Sequence, residues 1–187
     1  MIPSVYCNLE VRGTEHGHGA MIAPVLSELM PVLHNFFIDH QGSCALDFPG
    51  LKAGKANKTA LLGRVVRVFS NSSEHCNNLM EVVEQHAVLS QYIITGRVRA
   101  VTQHSGQWVS MHRARIAPRS QPNNRHRDLQ AQHNHQPPFL LMNSRSTGQN
   151  FSLMLERRSY RERGEDANTN SYGLSGEQPV YLPDLPI

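Results

Sequence analysis

The chain has 187 residues, of which 39% are hydrophobic and 6% aromatic, and its net charge is +3. That length allows one large domain or two small ones, with enough apolar side chains for a core. No apolar run approaches a membrane span, the N-terminus lacks the basic-then-apolar pattern of a secretory leader, and Cys7, Cys44 and Cys76 form no Cys-x-x-Cys pair. These features argue against a transmembrane protein, a disulfide framework or a zinc site, and for a reducing cytoplasm.

Residues 4–11 alternate Val5, Cys7, Leu9 and Val11 with polar neighbours, the period-two pattern of a strand. After a polar loop at 13–19, residues 20–39 place Ile22, Val25, Leu26, Leu29, Leu33, Phe36 and Phe37 at helical spacing. Pro24 fits a first turn, whereas Pro31 predicts a kink or a break. A short strand at 44–48 is closed by Pro49-Gly50, and a basic Ala/Gly-rich loop follows at 52–59. A valine-rich strand is expected at 61–70. Asn71 with Glu74 predicts a capping pair for a helix running to about residue 86, with Cys76, Leu79, Met80 and Val83 as its apolar stripe. A strand at 92–101 completes the order βαββαβ, the ferredoxin-like topology used by RNA-recognition domains. That order is common and carries no function by itself.

Residues 108–113 read as a short strand. Residues 117–138 are rich in Arg, His, Gln, Asn and Pro and read as a loop, with at most a short helix near 124–131. Strands at 139–142 and 151–155 flank a Ser/Thr/Gly turn, 157–170 is a charged loop, and 171–174 and 179–182 close the fold. The expected fold class is α+β: a ferredoxin-like domain over 1–101, followed by a smaller, irregular RNA-binding domain over 102–187.

Charge is unevenly distributed. Between Met111 and His135 there are five arginines against the single acid Asp128, so that segment carries +4 and the rest of the chain about −1. A basic segment on a near-neutral body is the electrostatic footprint of a polyanion partner, and also the composition of a solvated loop.

Two motifs and one histidine carry the chemistry. Ser144-Arg145-Ser146-Thr147-Gly148-Gln149-Asn150-Phe151 packs three hydroxyls, a glycine and an amide ahead of an aromatic ring, which suits contact with a phosphodiester backbone and a stacked base. Ser171-Tyr172-Gly173-Leu174-Ser175 sets a tyrosine beside a glycine turn. His34, in Leu33-His34-Asn35-Phe36-Phe37, supplies an imidazole, the side-chain type best suited to moving protons near neutral pH. A histidine, a serine and a tyrosine beside an RNA backbone suffice for a metal-free ribonuclease. In that reaction the 2′-hydroxyl attacks the adjacent phosphorus and expels the 5′-oxygen, leaving a 2′,3′-cyclic phosphate.

These residues resemble the CRISPR-associated endoribonucleases of type I-F systems. Weaker matches run from Met30 through Asp47-Phe48-Pro49-Gly50-Leu51 and fall at Val109-Ser110, followed by Arg113. The blocks keep the family's order and rough spacing over nearly the whole chain, and the stretches between them match poorly. The resemblance implies a metal-independent, sequence- and hairpin-specific endoribonuclease that cuts CRISPR repeat RNA and holds the 3′ hairpin of the mature crRNA. It would sit with the backbone subunits of a type I-F effector complex in the cytoplasm, itself monomeric and without a cofactor, in a system serving either defence or a transposon with associated proteins of its own.

By the same resemblance, His34 would be the catalytic histidine, as base or acid. Ser144 would orient the attacking 2′-hydroxyl without becoming a nucleophile, and Tyr172 would position His34 through its hydroxyl. Ser146 and Thr147 would bind phosphate oxygens, and Gln149 belongs to the same RNA-binding stretch. Phe151 would stack on the terminal base pair of the hairpin. Arg113 would grip a guanine edge, worth about 1–3 kcal/mol of discrimination. Arg115, Arg119, Arg125 and Arg127 would contact phosphates and make binding salt-sensitive.

The chain departs from the family in two places. The long arginine-rich helix expected before Ser144 is reduced and interrupted by Pro118, Pro122, Pro137 and Pro138, and a second base-reading arginine, expected at 111, is Met111. Lys52, Lys55, Lys58 and Arg97 could supplement stem recognition. A non-cleaving hairpin-binding subunit of the same complex is the alternative, and the joint presence of His34, Ser144 and Tyr172 argues against it. A metal-binding reading, from His16-Gly17-His18 and His133-Asn134-His135, lacks a cysteine or carboxylate at ligand spacing.

Overall fold

Alternating apolar residues in both halves of the chain build two antiparallel sheets, with three helices among the strands of the first, in the computed structural model. It describes residues 2–12, 19–54, 60–102, 106–114, 137–143, 148–165 and 167–187. The first sheet contains β1 (Val5–Val11), β2 (Cys44–Asp47), β3 (Val65–Ser70) and β4 (Ile93–Thr95) in the order β2-β3-β1-β4, with β5 (Arg99–Ala100) also pairing β1. The second contains β6 (Trp108–Arg113), β7 (Phe139–Asn143), β8 (Asn150–Tyr160) and β9 (Leu182–Pro183) in the order β7-β8-β6-β9. The helices are α1 (Gly19–Asp39), α2 (Ser73–Gln85) and α3 (Leu89–Tyr92).

Strand alternation sends Cys7, Leu9, Val66 and Val68 to the helix-covered face of the first sheet, where they meet Leu26, Leu29, Met30, Leu33 and Phe37 of α1 and Leu79 and Val83 of α2. The same apolar cluster continues into Met111, Leu140, Met142, Leu153 and Leu155 of the second sheet. The opposite face of the first sheet is also buried. Tyr6, Ala45 and Phe69 pack there against Val109, Val180, Leu182 and Leu185. Arg67, fully buried on that face, donates to Asn8 Oδ1 and to the carbonyls of Leu185 and Pro186 at 2.8–2.9 Å. All three cysteines are buried free thiols, and burial pushes Cys44 up to about 11.

Several sequence expectations are corrected. Helix α1 runs unbroken through Pro24 and Pro31, because the fully buried residues Leu26, Leu29, Met30 and Leu33 on either side outweigh the one lost backbone bond at Pro31. Helix α2 is capped by Ser72, not Asn71: Ser72 is extended and its side chain accepts from the Glu74 amide at 3.2 Å. Strand β3 starts at Val65 rather than 61, since Gly63, at φ +77°, lies against the backbone of Gly50 and turns the chain out of the sheet. The strand expected over 92–101 is two short strands, interrupted where Gly96 donates to the Asn8 carbonyl at 2.7 Å. The described residues of the C-terminal half form a regular sheet, and β8 continues through the charged residues Glu156, Arg157 and Arg158 to Tyr160. Arg157 turns inward from this strand and holds Asp47 of β2 at 2.7 Å and Asp184 at 2.7 Å. Of the loops expected at 13–19, 52–59 and 117–138, residues 13–18, 55–59 and 117–136 lie outside the described residues.

Candidate functional site

His34 follows the fully buried Leu33 on α1 and sits half-buried at the edge of the apolar stripe. Its Nδ1 lies 2.8 Å from the backbone carbonyl of Ser171. A carbonyl oxygen only accepts, so Nδ1 carries the proton, and in the neutral ring Nε2 keeps the free lone pair. The Tyr172 ring stacks on the imidazole with centroids 4.2 Å apart and planes 14° from parallel. Tyr172 therefore meets His34 face to face and not through its hydroxyl as the resemblance implied; the backbone of Ser171 makes the polar contact instead.

The turn that delivers Ser171 and Tyr172 is tightly bonded. The Asn170 side-chain oxygen accepts from the amides of Tyr172 (2.8 Å) and Leu174 (3.2 Å). The Asn170 amide donates to the Leu174 carbonyl, and Gly173 donates to the Asn170 carbonyl. The turn is anchored to both sheets. Leu46 of β2 donates to the Gly173 carbonyl at 2.8 Å, Thr169 donates its hydroxyl to the Cys44 carbonyl at 2.8 Å, and the Ser175 amide donates to Met111 of β6 at 2.8 Å. Gly173 adopts φ +69°, and its α-carbon passes so close to Phe37 that only a hydrogen fits.

A second pair lies on the second sheet, whose β7 strand packs against α1. Phe151, next to the start of β8, is half-buried against the main core, and the Arg113 guanidinium at the end of β6 lies 5.6 Å from its ring centroid. This cation–π contact leaves Arg113 exposed and stiffens it over the ring. At the neck of the β7–β8 hairpin, Asn143 Nδ2 donates to Asn150 Oδ1 at 3.0 Å, and Gly148 turns at φ +67°. Gln149 is exposed beside it.

The structure thus brings His34 and Tyr172 together, and separately Arg113 and Phe151. Ser144, Ser146, Thr147, Arg115, Arg119, Arg125 and Arg127 lie outside the described residues, as do Lys55, Lys58 and both His-x-His pairs. Lys52 and Arg97 are exposed. Met111 is buried in the core. The sheet face that RNA-recognition domains offer to RNA is closed here by β9 and the segment through Leu185. Sequence reasoning missed Asn170 and the Ser171 carbonyl. An asparagine two residues before a Tyr-Gly turn is an available signal for Asn170, whereas a main-chain carbonyl leaves none. Among the described residues no three His, Cys, Asp or Glu side chains cluster as a metal site, and no described helix is long and apolar enough to cross a membrane.

The family model described as CRISPR-associated protein (Cas_Csy4) matches residues 19–183, a span that contains His34 and both motifs and leaves out β1. No curated protein sequence matches the chain.

Proposed function

We propose, from the fact that the chain belongs to the CRISPR-associated Cas_Csy4 family, that it is a metal-independent endoribonuclease which cuts CRISPR repeat RNA at the base of a hairpin. The family supports a crRNA-processing role and binding of repeat RNA. The observation that carries the finer reading is the seat of His34: an imidazole with Nδ1 bonded to a carbonyl at 2.8 Å, one face against Tyr172 and Nε2 left for proton transfer. Attack by the 2′-oxygen on phosphorus forms one P–O bond and breaks the bond to the 5′-oxygen. One proton leaves the 2′-hydroxyl and one is gained by the 5′-oxygen, so no water is consumed. Nε2 of His34 is the atom through which such a transfer would pass.

In this reading Ser144 orients the 2′-hydroxyl, Ser146, Thr147 and Gln149 meet the phosphates, and Arg113 over Phe151 forms a stacking and guanine-reading platform. The order β2-β3-β1-β4 with α1 and α2 on one face supports a ferredoxin-like arrangement for residues 1–101, and the second sheet falls within 102–187. The product hairpin would stay bound, placing the protein in a cytoplasmic type I-F effector complex.

The test is a labelled repeat RNA incubated with the protein in EDTA, wild type beside His34→Ala. The expected result is a single cut leaving a cyclic phosphate, slowed by about 10²–10⁴-fold in the variant while hairpin binding persists. Tight binding without cleavage by the wild type would instead mean a holding subunit, and absence of binding would sink both readings.

A further inference from the structure

We propose that Asn170 is a positioning residue for His34: its side chain locks the 170–174 turn so that the Ser171 carbonyl faces Nδ1, which fixes the ring's tautomer and leaves Nε2 to move the proton. The proposal rests on the endoribonuclease reading above for its kinetic consequence and on geometry alone for its structural one.

Neutral imidazole exists as two tautomers that are close in energy in water, and only one of them leaves Nε2 able to accept a proton. A hydrogen bond from Nδ1–H to a fixed acceptor selects that tautomer and holds the ring against rotation, as carboxylates and carbonyls do for metal-bound histidines. Here the acceptor is a main-chain oxygen, so its direction is set by the backbone of a single turn. Three bonds anchor that turn from outside, at Thr169, Gly173 and Ser175. None of them touches the Ser171 peptide, which sits between the anchors. Asn170 fills that gap. Its Oδ1 accepts from the amides of Tyr172 at 2.8 Å and Leu174 at 3.2 Å, directly after the Ser171 carbonyl. The Ser171 carbonyl and the Tyr172 amide share one rigid peptide plane. Pulling the Tyr172 amide toward Asn170 therefore points the Ser171 oxygen the other way, toward α1, where His34 lies 2.8 Å off. The same plane carries the Tyr172 side chain that stacks on the imidazole. One side-chain oxygen thus sets both contacts of His34.

Alanine at 170 removes the acceptor, while aspartate keeps an oxygen where the two amides point. The experiment combines ring-nitrogen NMR of His34 with single-turnover cleavage across pH, using the full chain as wild type, Asn170→Ala and Asn170→Asp. The proton is expected on Nδ1 in the neutral wild-type ring. Asn170→Ala should lose that preference, cleave about 10- to 100-fold more slowly with a displaced pH–rate midpoint, and bind the hairpin as before. Asn170→Asp should restore rate and profile.

A wild-type proton on Nε2 overturns the proposal. So does Asn170→Ala with wild-type rate, profile and ring spectrum, or Asn170→Asp losing as much rate as the alanine variant. Should Asn170→Ala fail to fold, Asn170→Ser replaces it; an intermediate rate supports the proposal and an unchanged one overturns it. Should the wild type bind RNA without cutting, the endoribonuclease reading fails by itself. The ring spectra then still decide, since a tautomer unchanged by Asn170→Ala refutes the positioning role.

Discussion

A methyl group at position 173 would stand 2.7 Å from Cε2 of Phe37 and 3.1 Å from Cγ of Leu46, on a backbone with φ +69°. Both demands fall on one residue. The left-handed backbone favours glycine, and the missing side chain lets the turn lie on the buried end of α1. Gly173→Ala is therefore expected to cost about 2–4 kcal/mol in urea unfolding, from backbone strain together with overpacking against Phe37. At this scale much of the site was readable. Gly173 announces a turn, Tyr172 a ring beside it, and His34 a titratable group at the edge of a helix stripe. What sequence could not give was the manner of contact. The 2.8 Å bond runs from His34 to a peptide carbonyl 137 positions away, and every residue has such a carbonyl. In place of the hydroxyl contact expected of Tyr172 there is a ring stack, and the Ser171 carbonyl meets Nδ1.

Elements are joined by charge as well as by apolar packing. Asp47 on β2 is 0% exposed and grips Arg157 of β8, 15% exposed, through two bonds at 2.7 and 3.1 Å, and the same guanidinium holds Asp184. Burial alone would pull the Arg157 pKa down, but the two carboxylates outweigh it and drive the value up, so the group stays charged. Fully buried Arg67 also feels Asp47. Asp47→Asn leaves two buried guanidiniums short of a counter-charge and is expected to lower unfolding free energy by about 3–5 kcal/mol. Asp184→Asn, at a more open position, should cost about 1 kcal/mol or less. Chemical denaturation of the two variants side by side checks the ranking. The same ion pair explains why β8 was underestimated. Glu156-Arg157-Arg158 has no apolar alternation and reads as loop, yet Arg157 is an inward-facing strand residue whose partner lies 110 positions earlier. By contrast β6 was fully legible, because Val109 and Met111 alternate with the polar Ser110 and His112 inside one short segment. The break that Pro31 allowed for is absent for the opposite reason: its local cost is real, and the packing of Leu29, Met30 and Leu33 is larger.

Across the whole molecule, the two sheets share one apolar cluster, and a buried polar pair marks the far side of the second. His112, 6% exposed, has Nε2 2.7 Å from the Ser110 hydroxyl, which also donates to Tyr160. Burial, then the nearby Arg158, lowers the His112 pKa below the ordinary histidine value, with Glu156 opposing. The unfolded chain therefore takes up a proton first as pH falls through about 6.5. Stability present above that pH is lost as pH drops toward the folded-state value. Half-buried His75, lowered by burial and by His40, adds to the same trend. Urea midpoints should fall between pH 7.5 and 5.5, and His112→Gln should flatten the fall without abolishing it. The turn at 170–174 belongs to this scale too. Its Gly173 carbonyl is tied to Leu46 of one sheet and its neighbour Ser175 to Met111 of the other. The sheets hold the turn on both sides of the Ser171 peptide, and within that frame a swing of the Ser171 oxygen off His34 strains the Asn170 bonds to Tyr172 and Leu174. In the endoribonuclease reading, the imidazole is then seated before the RNA arrives, and bringing the scissile phosphate into line with it would be left to the bending of the RNA.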